Sequence, residues 1–364
     1  MDKPLIKLKN MPASAQSLPS KEVLVNDKPI EMMLFQCSGC GVVQHNSDPV
    51  SYYREVIRAT AVSSEMSLFR LEQFKHWVSK YGLAAKKVLE VGCGRGEYME
   101  IMKQTGVDLY GLEFGDASVE FCRKRNLSVE KGFVDHGVQL KNKPFDAFYI
   151  LNFLEHMPDI SSNLRTIAMN LADEALGLVE VPNFEMILKE NMFSEVITDH
   201  LFYFTESSLR NTMELNGFEV ITSQKVWSDY ILSMEVRKRP KLDLSGFRSS
   251  QVQLTQELNE FIDQFPEKTV AVWGAGHQSL AILAMARLEK KLAFVIDSAE
   301  FKQNKYTPAS HIPIYPPKIL KNSSVEAVII IAGGFSDEIT KIIRRDYAFI
   351  STIMKVSGVG LVHA

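Results

Sequence analysis

The clearest chemical potential lies in the run Glu90-Val-Gly-Cys-Gly-Arg-Gly96, where three alternate glycines follow the apolar stretch Lys87-Val-Leu-Glu-Val91. Glycine lets a backbone approach a ligand closely, and the first turn of a following helix offers N–H groups without helical partners. Glu113 closes the next apolar stretch, 107–113, roughly twenty residues further on. A carboxylate at that place can accept both hydroxyls of a ribose. The chemistry this predicts is the binding of a ribose-bearing cofactor. The spacing Glu-x-Gly-x-Gly-x-Gly differs from the Gly-x-Gly-x-x-Gly of dinucleotide sites.

Three further groups have reactive side chains. Glu155 and His156 set a carboxylate beside an imidazole, as in an acid–base pair, although residues placed there also cap and pack the following helix. His200, with Asp199 before it and Tyr203 after it, offers an imidazole whose pKa lies near working pH. From the residues alone, a hydrogen-bonded structural histidine at a strand–helix junction is the commoner arrangement. Cys37-Ser-Gly-Cys40 has the spacing of half a tetrahedral thiolate site. Cys93 sits in the glycine run and Cys122 on a helix, which leaves His45 as a third ligand candidate and no fourth. A turn with two free thiols and no metal is the expectation.

These groups need a scaffold, and the hydrophobic pattern divides it into three segments. Residues 1–75 form an N-terminal lobe in which Pro4, Pro12, Pro19 and Pro29 argue against regular sheet, with a helical lid from about 51 to Trp77. Residues 76–240 alternate strands, at 87–91, 107–113, 129–134, 145–152 and 176–181, with helices over 97–105 and through Phe121. Short apolar runs with helices between them indicate a parallel sheet covered on both faces. Thr205 is placed to cap a helix running to Asn216 and stopping at Gly217. Strands at 218–227 and 229–237 follow so closely that they must pair antiparallel. Residues 241–364 open on a polar helical linker, 241–266, and then restart the alternation. Strand 269–273 leads into Gly274-Ala-Gly276, a helix to about Glu289, a strand over 292–296 ending at Asp297, a strand at 327–331 and a helix over 336–344. The fold class is α/β. It comprises a Rossmann-like sheet of seven strands with a terminal antiparallel hairpin, the small first lobe, and a second, smaller Rossmann-like domain.

Composition narrows the partners. Forty-one Lys+Arg against 44 Asp+Glu give a formal net charge of −3, with no electrostatic footprint for nucleic acid. Apolar residues at 46% and charged residues at 23% suit a soluble globular chain. The longest apolar runs, such as 328–332, fall far short of the roughly 20 residues a membrane helix needs. Four cysteines cannot staple 364 residues, so a reducing, cytoplasmic setting is expected.

Taken together, the glycine run, the terminal hairpin and Phe145-Asp-Ala-Phe-Tyr-Ile-Leu-Asn-Phe-Leu-Glu-His-Met-Pro-Asp159 resemble the class I S-adenosylmethionine-dependent methyltransferases. That resemblance implies S-adenosyl-L-methionine as cofactor, with Glu90, Gly92, Gly94 and Gly96 lining its methionine and sugar parts. It implies that Glu113 binds the ribose and that Asn152 and Phe153 border the sulfonium. Asp135, after the third strand, either faces the adenine or is a solvated loop acid.

Over nearly the whole chain the likeness is narrower. The order is Cys-x-x-Cys-Gly-Val-Val-Gln, the methyltransferase core, Asp199-His200-Leu-Phe-Tyr203-Phe, and a Gly-Ala-Gly domain with Asp297, Lys302, Tyr306-Thr-Pro308 and His311-Ile-Pro-Ile. This series resembles the sugar C-methyltransferases that act on nucleotide-linked 4-keto-6-deoxyhexoses. In that family a zinc-binding lobe, a cofactor domain and a pseudo-dinucleotide domain surround the sugar nucleotide. The family pattern implies that His200 removes a proton from ring carbon 3, with Tyr203 or Asn152 orienting and Asp199 in the place of a glutamate. Two departures stand out: Ile197 occupies the position of a catalytic tyrosine, and the family's upstream Cys-x-x-Cys is absent. Tyr52 or Tyr53 could supply the missing phenol. Ser279 replaces the third glycine of the last domain, implying a retained fold without a dinucleotide, with His277, Gln278 or Lys302 touching the sugar nucleotide. The partner expected is that small molecule, bound by a monomer or homodimer. The rival readings are an O- or N-methyltransferase of another metabolite, a nicotinamide-dependent oxidoreductase, and a non-catalytic sugar-nucleotide-binding protein.

Overall fold

Runs of β-branched and aromatic residues that are apolar on both faces must be covered on both faces, and β-strands so enclosed form the centre of this chain. A computed structural model describes residues 3–55, 62–358 and 360–364. The chain folds as two units, Met1–Lys241 and Leu242–Ala364. In chain order the first contains β1 (Ile6–Met11), β2 (Ile30–Gln36), β3 (Val43–His45), α1 (Ser64–Tyr81), β4 (Lys87–Val91), α2 (Glu97–Met102), β5 (Asp108–Glu113) and α3 (Asp116–Lys124). It continues with β6 (Val129–Lys131), β7 (Phe145–Leu151), α4 (Ile160–Asn170), β8 (Leu171–Pro182), α5 (Phe184–Lys189), β9 (Phe202–Tyr203), α6 (Glu206–Leu215), β10 (Phe218–Val226) and β11 (Ile231–Lys238).

The main sheet has the order β6-β5-β4-β7-β8-β11-β10. Strands β4 to β8 are mutually parallel, and β11 is antiparallel to both β8 and β10. The hairpin turn from β10 to β11 uses Trp227, Ser228 and Asp229, all with left-handed φ between 52° and 64°. Thr205 caps α6 through its side chain, reciprocally with Ser208. At the carboxyl ends of β4 and β7, where the strand order reverses, loops of an open α/β sheet gather the ligand-binding residues.

Two expectations fail. The first lobe does form sheet, with β1, β2, β3 and β9 pairing antiparallel in that order. Pro4 and Pro12 flank β1 and Pro29 precedes β2, so proline bounds these strands instead of interrupting them. The lid helix begins at Ser64 rather than near 51 and runs past Trp77 to Tyr81, because Ser63 accepts the Met66 N–H and Gly82 takes φ 62° at the other end. Residues 51–55 form a turn, while 56–61 lie outside the described residues. Among the described residues two ion pairs tie this helix to the sheet: Lys80 meets Glu235 of β11 at 2.5 Å, and Arg70 and Glu180 of β8 are both fully buried and hydrogen-bonded, with Gln73 donating to the second Glu180 oxygen at 2.5 Å.

The second unit contains α7 (Ser245–Ile262), β12 (Val270–Trp273), α8 (His277–Met285), β13 (Val295–Ile296), β14 (Lys305–Tyr306), β15 (Pro313–Tyr315), β16 (Ala327–Ile330), α9 (Ser336–Asp346), β17 (Thr352–Ser357) and β18 (Gly360–His363). Its sheet runs β14-β15-β13-β12-β16-β17-β18, parallel except for the two edges. Gly274 has φ 121°, and a Cβ there would stand 2.3 Å from the Ile331 carbonyl oxygen. The Asp297 carboxylate accepts the Ala275 and Ala299 N–H groups and the Lys302 ammonium, each within 2.9 Å. His277, Gln278 and Lys302 line a cavity of about 430 Å³ within this unit.

Candidate active site

The turn after β4 is built by backbone conformation. Gly92, Gly94 and Gly96 all have left-handed φ, at 72°, 55° and 79°, which only glycine adopts freely. A Cβ on Gly92 would lie 2.3 Å from the Phe153 ring, so this glycine lets Phe153 fold onto the loop. Gly96 is different: its absent Cβ makes room for Leu127 at 2.4 Å, and the residue seats α2 against the chain after α3. Gly92→Ala is therefore expected to cost about 1–3 kcal/mol of stability. It should also displace Phe153, with denaturant unfolding and the calorimetric affinity for S-adenosylhomocysteine as the paired readouts.

Two buried carboxylates flank the turn. Glu90 accepts the Tyr149 hydroxyl at 2.8 Å. Glu113 accepts the Gly94 N–H at 2.9 Å through one oxygen and the Gly115 N–H at 2.7 Å through the other. Burial pushes the Glu113 carboxyl above its usual range, and the N–H groups of Gly115 and Gly94 oppose this. Each carboxylate oxygen keeps a second lone pair, so both remain acceptors for a diol. The half-exposed Asp135 carboxylate pairs with Arg54 at 3.2 Å. The Arg54 guanidinium in turn covers the rings of Tyr53, Phe114 and Phe133 at 5.2–5.5 Å.

A cavity of about 450 Å³ opens where β7 ends. Asn152 and Phe153 form its side nearest the glycine loop. Asn152 has φ 50°, donates its N–H to the Glu180 carbonyl at 2.9 Å, and leaves its buried side-chain oxygen without a partner. The other wall carries Ile197, Asp199 and His200, and Glu155 and His156 close the floor. The His156 and His200 rings meet edge to face at 4.8 Å. The Leu201 N–H donates to the Glu155 carbonyl at 2.9 Å, pinning the His200 segment to the 155–156 turn. Glu155, His156 and His200 thus bring one carboxyl oxygen and two ring nitrogens within 4.8 Å of one another.

The cavity favours neutral groups. Burial, then the neighbouring His156 and His45, lower the His200 imidazole to about 3. Burial raises the Glu155 carboxyl to about 8, and neither of its oxygens has a hydrogen-bond partner. Asp199 is differently placed. It accepts the Tyr52 hydroxyl at 2.7 Å and the Ala15 N–H at 2.6 Å, so the first lobe holds this carboxylate at the cavity wall.

Tyr203 is not among the residues that line the cavity; its ring lies 6.3 Å from that of His200, and its buried hydroxyl donates to the Ile197 carbonyl at 2.8 Å and accepts the Ile197 N–H at 2.9 Å. It is a strut under the 197–200 turn. Tyr203→Phe is expected to lower stability by about 1–3 kcal/mol, since the Ile197 N–H loses its partner and the Ile197 carbonyl keeps only the His200 N–H at 3.3 Å, as thermal unfolding would show. His45 likewise serves the turn. One ring nitrogen donates to the Thr198 carbonyl and the other accepts the Ser47 N–H, each at 3.1 Å, so neither is available to Cys37 and Cys40. Cys37 and Cys40 form no disulfide, and the backbone N–H groups of Cys40 and Gly39 hold the Cys37 thiol below its usual range.

One feature has no prominence in the sequence: Tyr149 lies inside a predicted strand, where its period-two alternation with Ala147 places it on one face of β7. Of the two readings of Glu155, the helix cap fails, since the cap of α4 is Asp159, whose side chain accepts the Ser162 N–H at 3.0 Å.

Comparison with known proteins matches this architecture. Residues 66–223 match the family described as "Methyltransferase domain", and residues 239–351 match "C-methyltransferase C-terminal domain". The C-methyltransferase NovU of Streptomyces niveus is 26% identical over 283 residues, covering 69% of this chain and 67% of that protein. The ubiquinone biosynthesis O-methyltransferase of Pseudomonas fluorescens is 36% identical over 97 residues, covering 25% of this chain and 42% of its own length. The chain belongs to the class I S-adenosylmethionine-dependent methyltransferases. Its second unit is a C-methyltransferase C-terminal domain, and S-adenosylmethionine is its cofactor.

Proposed function

We propose that the protein C-methylates a nucleotide-linked 4-keto-deoxysugar and that His200 is the general base. When bound, S-adenosylmethionine supplies a methyl group on an electrophilic sulfonium. The chain must then make a nucleophile of a carbon, which requires removing a proton beside a ketone. Glu113 has acceptors left for the ribose, Glu90 and Gly92 shape the loop beneath the methionine end, Gly94 orients Glu113, and Gly96 keeps α2 close behind. Asn152 and Phe153 then stand between cofactor and substrate, with the unpartnered Asn152 oxygen facing either.

The observation that carries the reading is the position of His200. A neutral imidazole lines the same cavity as Asn152 and Phe153, on a turn fixed by Tyr203, Leu201 and His45. Such an imidazole is unprotonated at any working pH, burial weakens it as a base, and its fixed orientation favours one substrate carbon. Asp199 and Tyr52, joined at 2.7 Å, are the nearest polar pair to take a sugar hydroxyl.

The test uses a thymidine-diphosphate-linked 4-keto-6-deoxyhexose with labelled S-adenosylmethionine, and nuclear magnetic resonance of the product. The expected product bears the methyl on ring carbon 3, and in deuterium oxide that carbon exchanges its proton. A second reading, O- or N-methylation of another metabolite, draws on Ile197, an aliphatic side chain in the cavity wall where a phenol was expected. A methyl found on oxygen or nitrogen would establish it.

A further inference from the structure

Glu155 stands out among the buried polar groups of the first unit. It is 1% exposed, it reaches the floor of the cavity, and both its carboxyl oxygens lack a hydrogen-bond partner. Buried polar groups in folded proteins are almost always paired, so an orphaned carboxyl facing a cavity calls for an occupant of that cavity. The groups that face it are His156, His200 and Tyr230, with Asn152 across the cavity. Among the described residues no lysine or arginine neutralises it.

Resting on the reading of the cavity as a keto-sugar site, we propose that Glu155 is a catalytic acid that works opposite His200. It donates its carboxyl proton to the substrate's carbonyl oxygen while His200 takes the proton from the adjacent carbon. The C–H electron pair becomes the new carbon–carbon double bond, and the carbonyl π pair takes the Glu155 proton. The product is a neutral enol, held between a carboxylate and an imidazolium. Once that carbon is alkylated, the oxygen-bound proton returns to Glu155, and the proton on His200 leaves to solvent.

Physical chemistry favours this division. Removal of the proton by His200 alone would leave the negative charge on the substrate oxygen; donation from Glu155 leaves the substrate neutral and places that charge on a carboxylate, paired with an imidazolium whose ring nitrogen lies within 4.8 Å. A neutral carboxylic acid in an apolar site is an established kind of donor to a developing oxyanion. It also answers the absence of a phenol at Ile197: the donor comes from Glu155, another residue lining the same cavity.

The experiment measures exchange of the carbon-bound proton with deuterium oxide in the absence of any methyl donor, using a thymidine-diphosphate-linked 4-keto-6-deoxyhexose. Wild-type protein should exchange it, and Glu155→Gln should exchange it about 10²–10⁴-fold more slowly with S-adenosylhomocysteine affinity retained. The wild-type rate should hold level through neutrality and fall as pH rises through about 8, and that fall should vanish in the variant. Isotope-edited infrared spectra of the ligand-free protein give a second readout that survives poor folding of the variant. They should show a protonated buried carboxyl at pH 7 that titrates near 8. A fully ionised set of carboxylates at pH 7, exchange unchanged in Glu155→Gln, or one equivalent of zinc carried by the wild type and lost in that variant would each overturn the proposal. Failure of the wild type to exchange the probe, with the protonated carboxyl present, would overturn the keto-sugar reading and this assignment with it.

Discussion

Asparagine in place of His200 should reduce methyl transfer by about 10²–10⁴-fold, the usual contribution of a positioned base. The affinity for S-adenosylhomocysteine should be unchanged. Asparagine is chosen because its amide nearly matches the imidazole's Nδ1 side in shape yet accepts no proton near neutral pH. The turn itself should survive, since Tyr203 and Leu201 hold it through the backbone of Ile197 and Glu155 and not through the His200 ring. Initial rates with labelled donor measure the first effect and calorimetry the second. Activity within a few-fold of wild type would remove His200 from the chemistry and leave it as a lining residue packed on His156.

The largest effect on stability should come from Arg70→Met. Arg70 and Glu180 are both fully excluded from solvent, and no other cation lies within salt-bridge distance of Glu180 among the described residues. Removing the guanidinium strands a carboxylate inside the sheet, with Gln73 as its remaining donor, and such losses run to about 3–5 kcal/mol. The double variant Arg70→Met, Glu180→Leu should recover most of that, because an apolar pair of similar volume replaces a buried ion pair at little net cost. Urea unfolding of the two variants decides the matter. Equal destabilisation would mean that the pair is held for some reason other than mutual neutralisation. The outcome bears on the site as well, since the Glu180 carbonyl accepts the Asn152 N–H and so holds that residue's left-handed turn.

Much of this was legible from residue patterns, and the parts that were not share a cause. The glycine turn and the parallel strands announce themselves locally: alternation of short apolar runs with glycine, and φ values that only glycine tolerates, are properties of neighbours in the chain. The hairpin was legible for the same reason, since a short connection excludes a crossover. The first lobe was misread because its sheet is completed by Phe202–Tyr203, about 160 residues beyond β3, and no local pattern reports a partner so distant. The partners of the Tyr203 hydroxyl are illegible on similar grounds, since its bonds to Ile197, six positions earlier, are set by the tertiary turn and invisible in the spacing. For Glu155 a signal did exist: an acidic residue between leucine and histidine within an otherwise apolar stretch is costly to bury unless it has work to do.

The two-residue strand β9 is short, but it joins regions that a domain diagram would draw apart. Val43 and Gln44 pair with Tyr203 and Phe202, Tyr52 and Ala15 grip Asp199, and Thr198 reaches the Pro12 carbonyl. The amino-terminal lobe thus helps to hold the segment that carries His200, and Arg54 of the same lobe reaches the Phe114 ring and the Asp135 carboxylate. A change of shape in that lobe would therefore be felt at His200 and beside Glu113 together.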